Sequence, residues 1–209
     1  MSNYYYNNNS SYFAPQGFSM LPTGVKHLLI INAIVFFARY VLAIWGIDLN
    51  AYLALYPVRP PFFHFYQYIT YMFAHASFGH IFFNMFALWM FGYALENLWG
   101  TRRFLIYYLL CGLGAGLTCT LLLDRPTVGA SGAVFGILLA FGLTYPNERI
   151  YLYFLFPIRA IWFVLGYAAI ELIDGMLATN DGIAHFAHLG GMLTGLVILL
   201  IWRRQHKIY

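Results

Sequence analysis

GASGAVFGILLAFGLTYPN, residues 129–147, is the stretch whose reading decides the fold. From Ser131 to Tyr145 it is almost uninterruptedly apolar, and Pro146 with Asn147 marks its far end. As a helix this run rises only about 22 Å. The hydrocarbon core of a bilayer is about 30 Å thick. If the run ends at one membrane surface, its start at Ser131 lies below the other. A helix start carries backbone N–H groups without intrahelical partners, and these are tolerated at membrane depth only inside protein or beside water. A polar cavity is therefore expected at Ser131.

The rest of the chain supports a membrane setting. Of 209 residues, 62% are hydrophobic and 9% are charged. Soluble domains carry about 25% charged residues, so this chain cannot hide its apolar surface from water by folding alone. Outward from the short run, apolar segments cover about 26–46, 79–98, 102–123, 131–145, 159–177 and 183–202. Most approach the roughly 20 residues that a spanning helix needs. The expected fold class is an all-α membrane protein with six spans and a short central fourth helix.

Residues 1–25 carry no charge and run Asn, Tyr and Ser. They have neither the basic start and apolar core of a signal peptide nor the arginines of a mitochondrial transit peptide. A disordered cytoplasmic tail is expected over 1–25, a six-helix domain over 26–203 and a short cytoplasmic tail over 204–209. The stretch 47–78 is broken by Pro57, Pro60 and Pro61 and is rich in Tyr and Phe. It is expected to lie partly in the outer leaflet, where amphipathic rings prefer the interface.

With six spans the two termini share a side. That side holds Lys26, Arg102, Arg103, Arg149, Arg159, Arg203, Arg204 and Lys207. The other holds Arg59 and Arg125 with Asp48, Asp124, Asp174 and Asp181. The positive-inside rule places the termini in the cytoplasm, so the cavity at Ser131 opens to the outer face of the cell's inner (plasma) membrane. The net charge of +4 sits at the ends of apolar runs, which argues against a nucleic-acid partner. Cys111 and Cys119, eight apart in one run, would lie about 12 Å apart on a helix, too far for a disulfide.

Ser131 at a helix start sits beside unpaired N–H groups and the positive end of the helix dipole, which suits an oxyanion forming at that point. Between small residues it could equally serve close helix packing, as Gly132 and Gly136 do. His188 opens a segment in which Gly191 and Gly195 allow another helix to come close. If that helix is the fourth, His188 reaches Ser131, and a serine needs such a base. His80 and Asn84 lie four apart on one helix face. They form either a structural polar patch or a pair of hydrogen-bond donors aimed at the cavity.

Three motifs then resemble the rhomboid protease family: His75-Ala-Ser-Phe-Gly-His80-Ile-Phe-Phe-Asn84, Gly129-Ala-Ser131-Gly132 and Ala187-His188-Leu-Gly-Gly191-Met-Leu-Thr-Gly195. They occur in the family's order, on the second, fourth and sixth helices, within a resemblance that covers about 25–203. The resemblance implies the rhomboid fold and a serine endopeptidase that cleaves within the membrane by a Ser-His dyad. Ser131 would be the nucleophile and His188 the base. The Ser131 N–H, His80 and Asn84 would stabilise the oxyanion. It further implies single-span or multi-span membrane proteins as substrates, membrane lipids as surroundings and no cofactor. Entry between the second and fifth helices, with the loop before the sixth as a lid, belongs to the same implication, and Gly175 and Gly182 stand where hinges for such a loop would be. No third carboxylate belongs to that mechanism, and none is evident beside His188 in the sequence. Glu171, inside the fifth run, has no obvious partner, and Glu96 is expected to anchor hydrogen bonds to the first outer loop or to neighbouring helices.

The sequence departs from the family in two places. Tyr66-Gln67 replaces a frequent Trp-Arg pair. Phe135 stands where a tyrosine often stacks on the histidine. GASGA also lacks the last glycine of the G-x-S-x-G elbow of α/β-hydrolases, which with this hydropathy argues against that soluble fold. His64, His75 and His185 compete as bases. His80, His185 and His188 could supply three ligands to a metal, which would leave the serine motif idle, so no metal is expected. The alternative function is a catalytically silent, derlin-type scaffold that binds transmembrane clients, although such relatives typically lack the serine or the histidine. A histidine relay in a transporter would be expected to come with internal repeats, and none is visible.

Overall fold

The computed structural model describes residues 21–59, 61–152, 155–177 and 184–205. The tail expected over 1–25 falls outside the described residues up to position 20, as do Asp181, Gly182, Lys207 and most of 204–209. The described chain is a helical bundle of α1 (Thr23–Ala43), α2 (Leu49–Leu53), α3 (Gln67–Thr70), α4 (Phe78–Trp99), α5 (Thr101–Leu122), α6 (Ser131–Thr144), α7 (Ala160–Met176) and α8 (His185–Arg204). A two-stranded antiparallel hairpin, β1 (Arg149–Leu152) and β2 (Phe156–Arg159), joins α6 to α7. The six apolar runs correspond to α1, α4, α5, α6, α7 and α8. Of these, α1, α4, α5 and α8 are long and apolar enough to cross a membrane. The protein is thus an all-α, multi-pass membrane bundle. α6 and α7, at 14 and 17 residues, are shorter.

α6 is the central helix. Its buried residues, from Gly132 and Ala133 to Phe141 and Gly142, cover most of the helix surface, and the less buried Ser131, Phe135, Leu139 and Leu143 recur four apart along one narrow stripe. It packs against α4, α5, α7 and α8. Glycines permit these contacts. A Cβ on Gly191 of α8 would lie 1.9 Å from the Gly132 carbonyl oxygen of α6. One on Gly136 would lie 2.5 Å from Cys111 Sγ of α5. The outer helices show the reverse pattern. Ile34 and Phe37 of α1, Phe83 of α4 and Ile173 of α7 are exposed, as lipid-facing side chains in a bilayer must be.

Two contacts set the polarity of the bundle. Glu96, near the end of α4, accepts hydrogen bonds from the Gly24 and Val25 N–H groups, each at 2.7 Å, and from the Thr101 hydroxyl at 2.6 Å. It therefore caps the start of α1, where both orphan donors and dipole favour a carboxylate. Of the two partners expected for it, the neighbouring helices are the ones found. At the same end Trp99 packs edge-on to Trp202 of α8, with ring centroids 5.8 Å apart. The start of α1 and the end of α8 accordingly share one end of the bundle.

The stretch between α1 and α4 is folded. Tyr52, Phe62, Phe65 and Tyr66 are exposed, while Leu55, Gln67, Tyr71 and Met72 are buried. Gln67, at the position of the absent arginine, organises this stretch. Its side chain accepts from the His64 and Tyr56 N–H groups and donates to the Phe62 carbonyl at 2.9 Å. Arg39 of α1 donates to the carbonyls of His75 and Ala76, tying the run into α4 to the bundle.

Candidate functional site

Ser131 is the first residue of α6, and two features shape the turn before it. Gly129 has φ of 131°, a region that side chains rarely adopt, and its N–H donates to the Tyr71 carbonyl at 2.8 Å. A Cβ on Gly129 would lie 2.7 Å from both Cε1 and Nε2 of His80. Glycine is thus needed for the backbone and for the close approach of the His80 ring. No side chain caps α6, so its first-turn N–H groups remain available around Ser131.

His188 lies in the first turn of α8. The contact between Gly132 and Gly191 lets α6 and α8 approach backbone to backbone, and His188 Nε2 lies 2.8 Å from Ser131 Oγ. Phe135, one turn along α6, stacks on the His188 ring with centroids 4.3 Å apart and planes 4° from parallel. The stack expected of a tyrosine is made by phenylalanine without the hydroxyl.

Behind His188 the expectation from sequence is corrected. The carboxylate of Glu171 on α7 is buried, with Oε2 2.9 Å from His188 Nδ1 and 2.8 Å from His185 Nδ1. A carboxylate thus does stand beside His188, and Glu171 does have partners. Spacing could not reveal this, because the contact joins residues 17 apart in sequence on two different helices. The signal that could have found it is an ionisable residue inside an apolar run together with two histidines three apart on the next helix. Gly175 is no isolated hinge. It lies inside α7, and a Cβ there would be 3.2 Å from Phe186 and 3.4 Å from His185 Cβ, so it admits α8 to close contact.

Protons follow from these partners. An ionised carboxylate only accepts, so His188 donates from Nδ1 and presents its Nε2 lone pair to the Ser131 hydroxyl. His80 Nδ1 accepts from the Ala76 N–H at 3.4 Å, which leaves Nε2–H as a donor on the edge facing Gly129. Asn84 is buried one turn further along α4. Its Nδ2 donates one proton to the His80 carbonyl at 2.8 Å and keeps a second.

The other histidines are placed differently. His64 stacks on Tyr66 in the loop, with ring centroids 5.4 Å apart. His75 is fully buried, edge-on to His80 at 5.0 Å. Burial first, and then His80, hold the His75 pKa down at about 3, so the ring is neutral at ordinary pH. His185 faces Glu171 from one turn before His188.

The chain matches the family model for the Rhomboid domain over residues 63–205. It is 36% identical to the RHOMBOID-like protein 6, mitochondrial, of Arabidopsis thaliana over 139 residues, covering 66% of this chain and 43% of that protein. It is 31% identical to the chloroplastic Rhomboid-like protein 11 of the same plant over 202 residues, covering 86% and 64%. With the Rhomboid protease GluP of Bacillus subtilis it shares 32% identity over 123 residues, covering 58% and 23%. The chain spans less than two thirds of the length of each of these relatives.

Proposed function

Because this chain belongs to the rhomboid family, we propose that it is an intramembrane serine endopeptidase cleaving transmembrane segments of membrane-protein substrates, with Ser131 as nucleophile and His188 as base. One observation carries the reading: Ser131 Oγ and His188 Nε2 lie 2.8 Å apart inside an apolar bundle. As the Ser131 Oγ bonds to the scissile carbonyl carbon, its proton passes to His188 Nε2 and the carbonyl electron pair moves to oxygen. The oxyanion forms beside the Ser131 N–H, His80 Nε2 and Asn84 Nδ2, fixed donors of the kind that stabilise such charge. His188 then returns the proton to the leaving amine as the C–N bond breaks. Water, activated by the same histidine, hydrolyses the acyl-enzyme.

The substrate helix must unwind locally before its carbonyl can be attacked, so helix-breaking Gly or Pro lowers that cost. Six spans over 26–203, with a short fourth helix, form the protease domain in this reading. The start of α1, Arg102 and Arg103 and the end of α8 share one end of the bundle. The positive-inside rule makes that end cytoplasmic and turns Ser131 toward the outer face of the plasma membrane.

The test is cleavage of a fluorescent single-span substrate by purified protein in liposomes. Activity is expected to vanish in Ser131→Ala and in His188→Ala. Cleavage that persists in Ser131→Ala overturns the nucleophile assignment. Retained client binding without cleavage by the unaltered protein points to a silent scaffold.

A further inference from the structure

We infer that Glu171 is a positioning residue for His188, making the working site a Ser131–His188–Glu171 arrangement in which His185 holds the carboxylate. This rests on the serine-protease reading above and adds a third group to its two.

α7 buries little of itself. Its buried residues are Ala160, Val164 and Glu171, and the last is the only one of these with a charge. An ionisable side chain inside an apolar helix is costly and persists where something returns that cost. Glu171 Oε2 meets two imidazole Nδ1 atoms of α8, those of His185 and His188. Neutral imidazole has one N–H, and either nitrogen can carry it. The proton on Nε2 would point N–H at Ser131 Oγ, and His188 could not act as a base. The carboxylate at Nδ1 selects the other tautomer and leaves the Nε2 lone pair on the serine side. When His188 takes the serine proton, the imidazolium faces a carboxylate 2.9 Å away. Glu171 itself gains no proton in the cycle. Phe135 fixes the plane of the ring and Glu171 its rotation within that plane. His185 donates to the same oxygen from one turn earlier on α8, so the carboxylate is held even while His188 moves.

A purely structural tie between α7 and α8 is the competing role, and the test separates the two. Ser131→Ala, His188→Ala, Glu171→Gln and Glu171→Asp are assayed in liposomes with one fluorescent single-span substrate, alongside thermal unfolding. Glu171→Gln keeps size and polarity and removes the charge. It is expected to lower kcat on the order of 10²–10⁴-fold, with KM and the unfolding midpoint nearly unchanged. Glu171→Asp keeps the charge one bond further back and is expected to fall between Gln and the unaltered protein. If Glu171→Gln folds poorly, the rate of fluorophosphonate labelling of Ser131, read per folded molecule, gives the same comparison. Unchanged kcat in Glu171→Gln, with Ser131→Ala and His188→Ala inactive, overturns the role of Glu171 and leaves the two-residue site standing. A loss matched by an equal loss of stability, and not relieved by Asp, also overturns it. Activity in Ser131→Ala overturns the underlying reading instead.

Discussion

Replacing Gly191 with alanine perturbs the site without touching a reacting atom. A Cβ there would lie 1.9 Å from the Gly132 carbonyl oxygen and 2.7 Å from its carbonyl carbon, both backbone atoms that no rotamer change can move. Real Cβ contacts essentially never fall under 3.0 Å, so α6 and α8 must part by about 1.1 Å at this point. Ser131 and His188 are carried on these two helices. If their 2.8 Å contact takes the full displacement, it opens to about 3.9 Å, beyond hydrogen-bond reach. A misplacement of about 1 Å costs on the order of 10²-fold in rate, or about 2.7 kcal/mol in activation free energy. The overpacking adds about 1–3 kcal/mol of destabilisation. The assay is kcat for a fluorescent transmembrane substrate in liposomes, measured below the unfolding midpoint of Gly191→Ala. Full kcat in folded Gly191→Ala would refute the claim that backbone contact at Gly132 and Gly191 sets the distance between serine and histidine.

Two further substitutions separate chemistry from architecture. Asn84→Ala removes a proposed oxyanion donor and is expected to lower kcat by about 10²–10³-fold with little change in KM, as read from initial rates. Glu96→Ala leaves the Gly24 and Val25 N–H groups without their acceptor at the buried start of α1. At about 1–3 kcal/mol for each of the two unsatisfied donors, a loss of about 2–6 kcal/mol is expected, seen as a lower unfolding midpoint in detergent with kcat retained below it.

Hydropathy makes the long elements legible because lipid imposes a length and a composition on each span. The six apolar runs meet α1, α4, α5, α6, α7 and α8 within a few residues at each end. The short α6 with Ser131 at its first position follows from the same arithmetic. The hairpin after α6 does not, because Arg149–Leu152 and Phe156–Arg159 are too short for a period to stand out against their aromatic neighbours. Among the site residues, the pairing of Ser131 with His188 is foreshadowed by the glycines that flank them. Glu171 is not, since its partners lie on another helix and its own run reads as an ordinary span. Gln67 stands where the resemblance leads one to expect an arginine, and its amide organises the loop by three hydrogen bonds. Such exchanges are settled by geometry that the one-dimensional pattern does not carry.

The central claim is that Ser131 is a nucleophile activated by His188. Treatment of the intact protein in liposomes with a fluorophosphonate, followed by mass spectrometry of its peptides, tests it most directly. A single phosphonyl adduct is expected on Ser131, forming in step with the loss of substrate cleavage and not forming in His188→Ala. Loss of cleavage with Ser131 unlabelled, or an adduct on Ser131 at undiminished rate in His188→Ala, would contradict the claim.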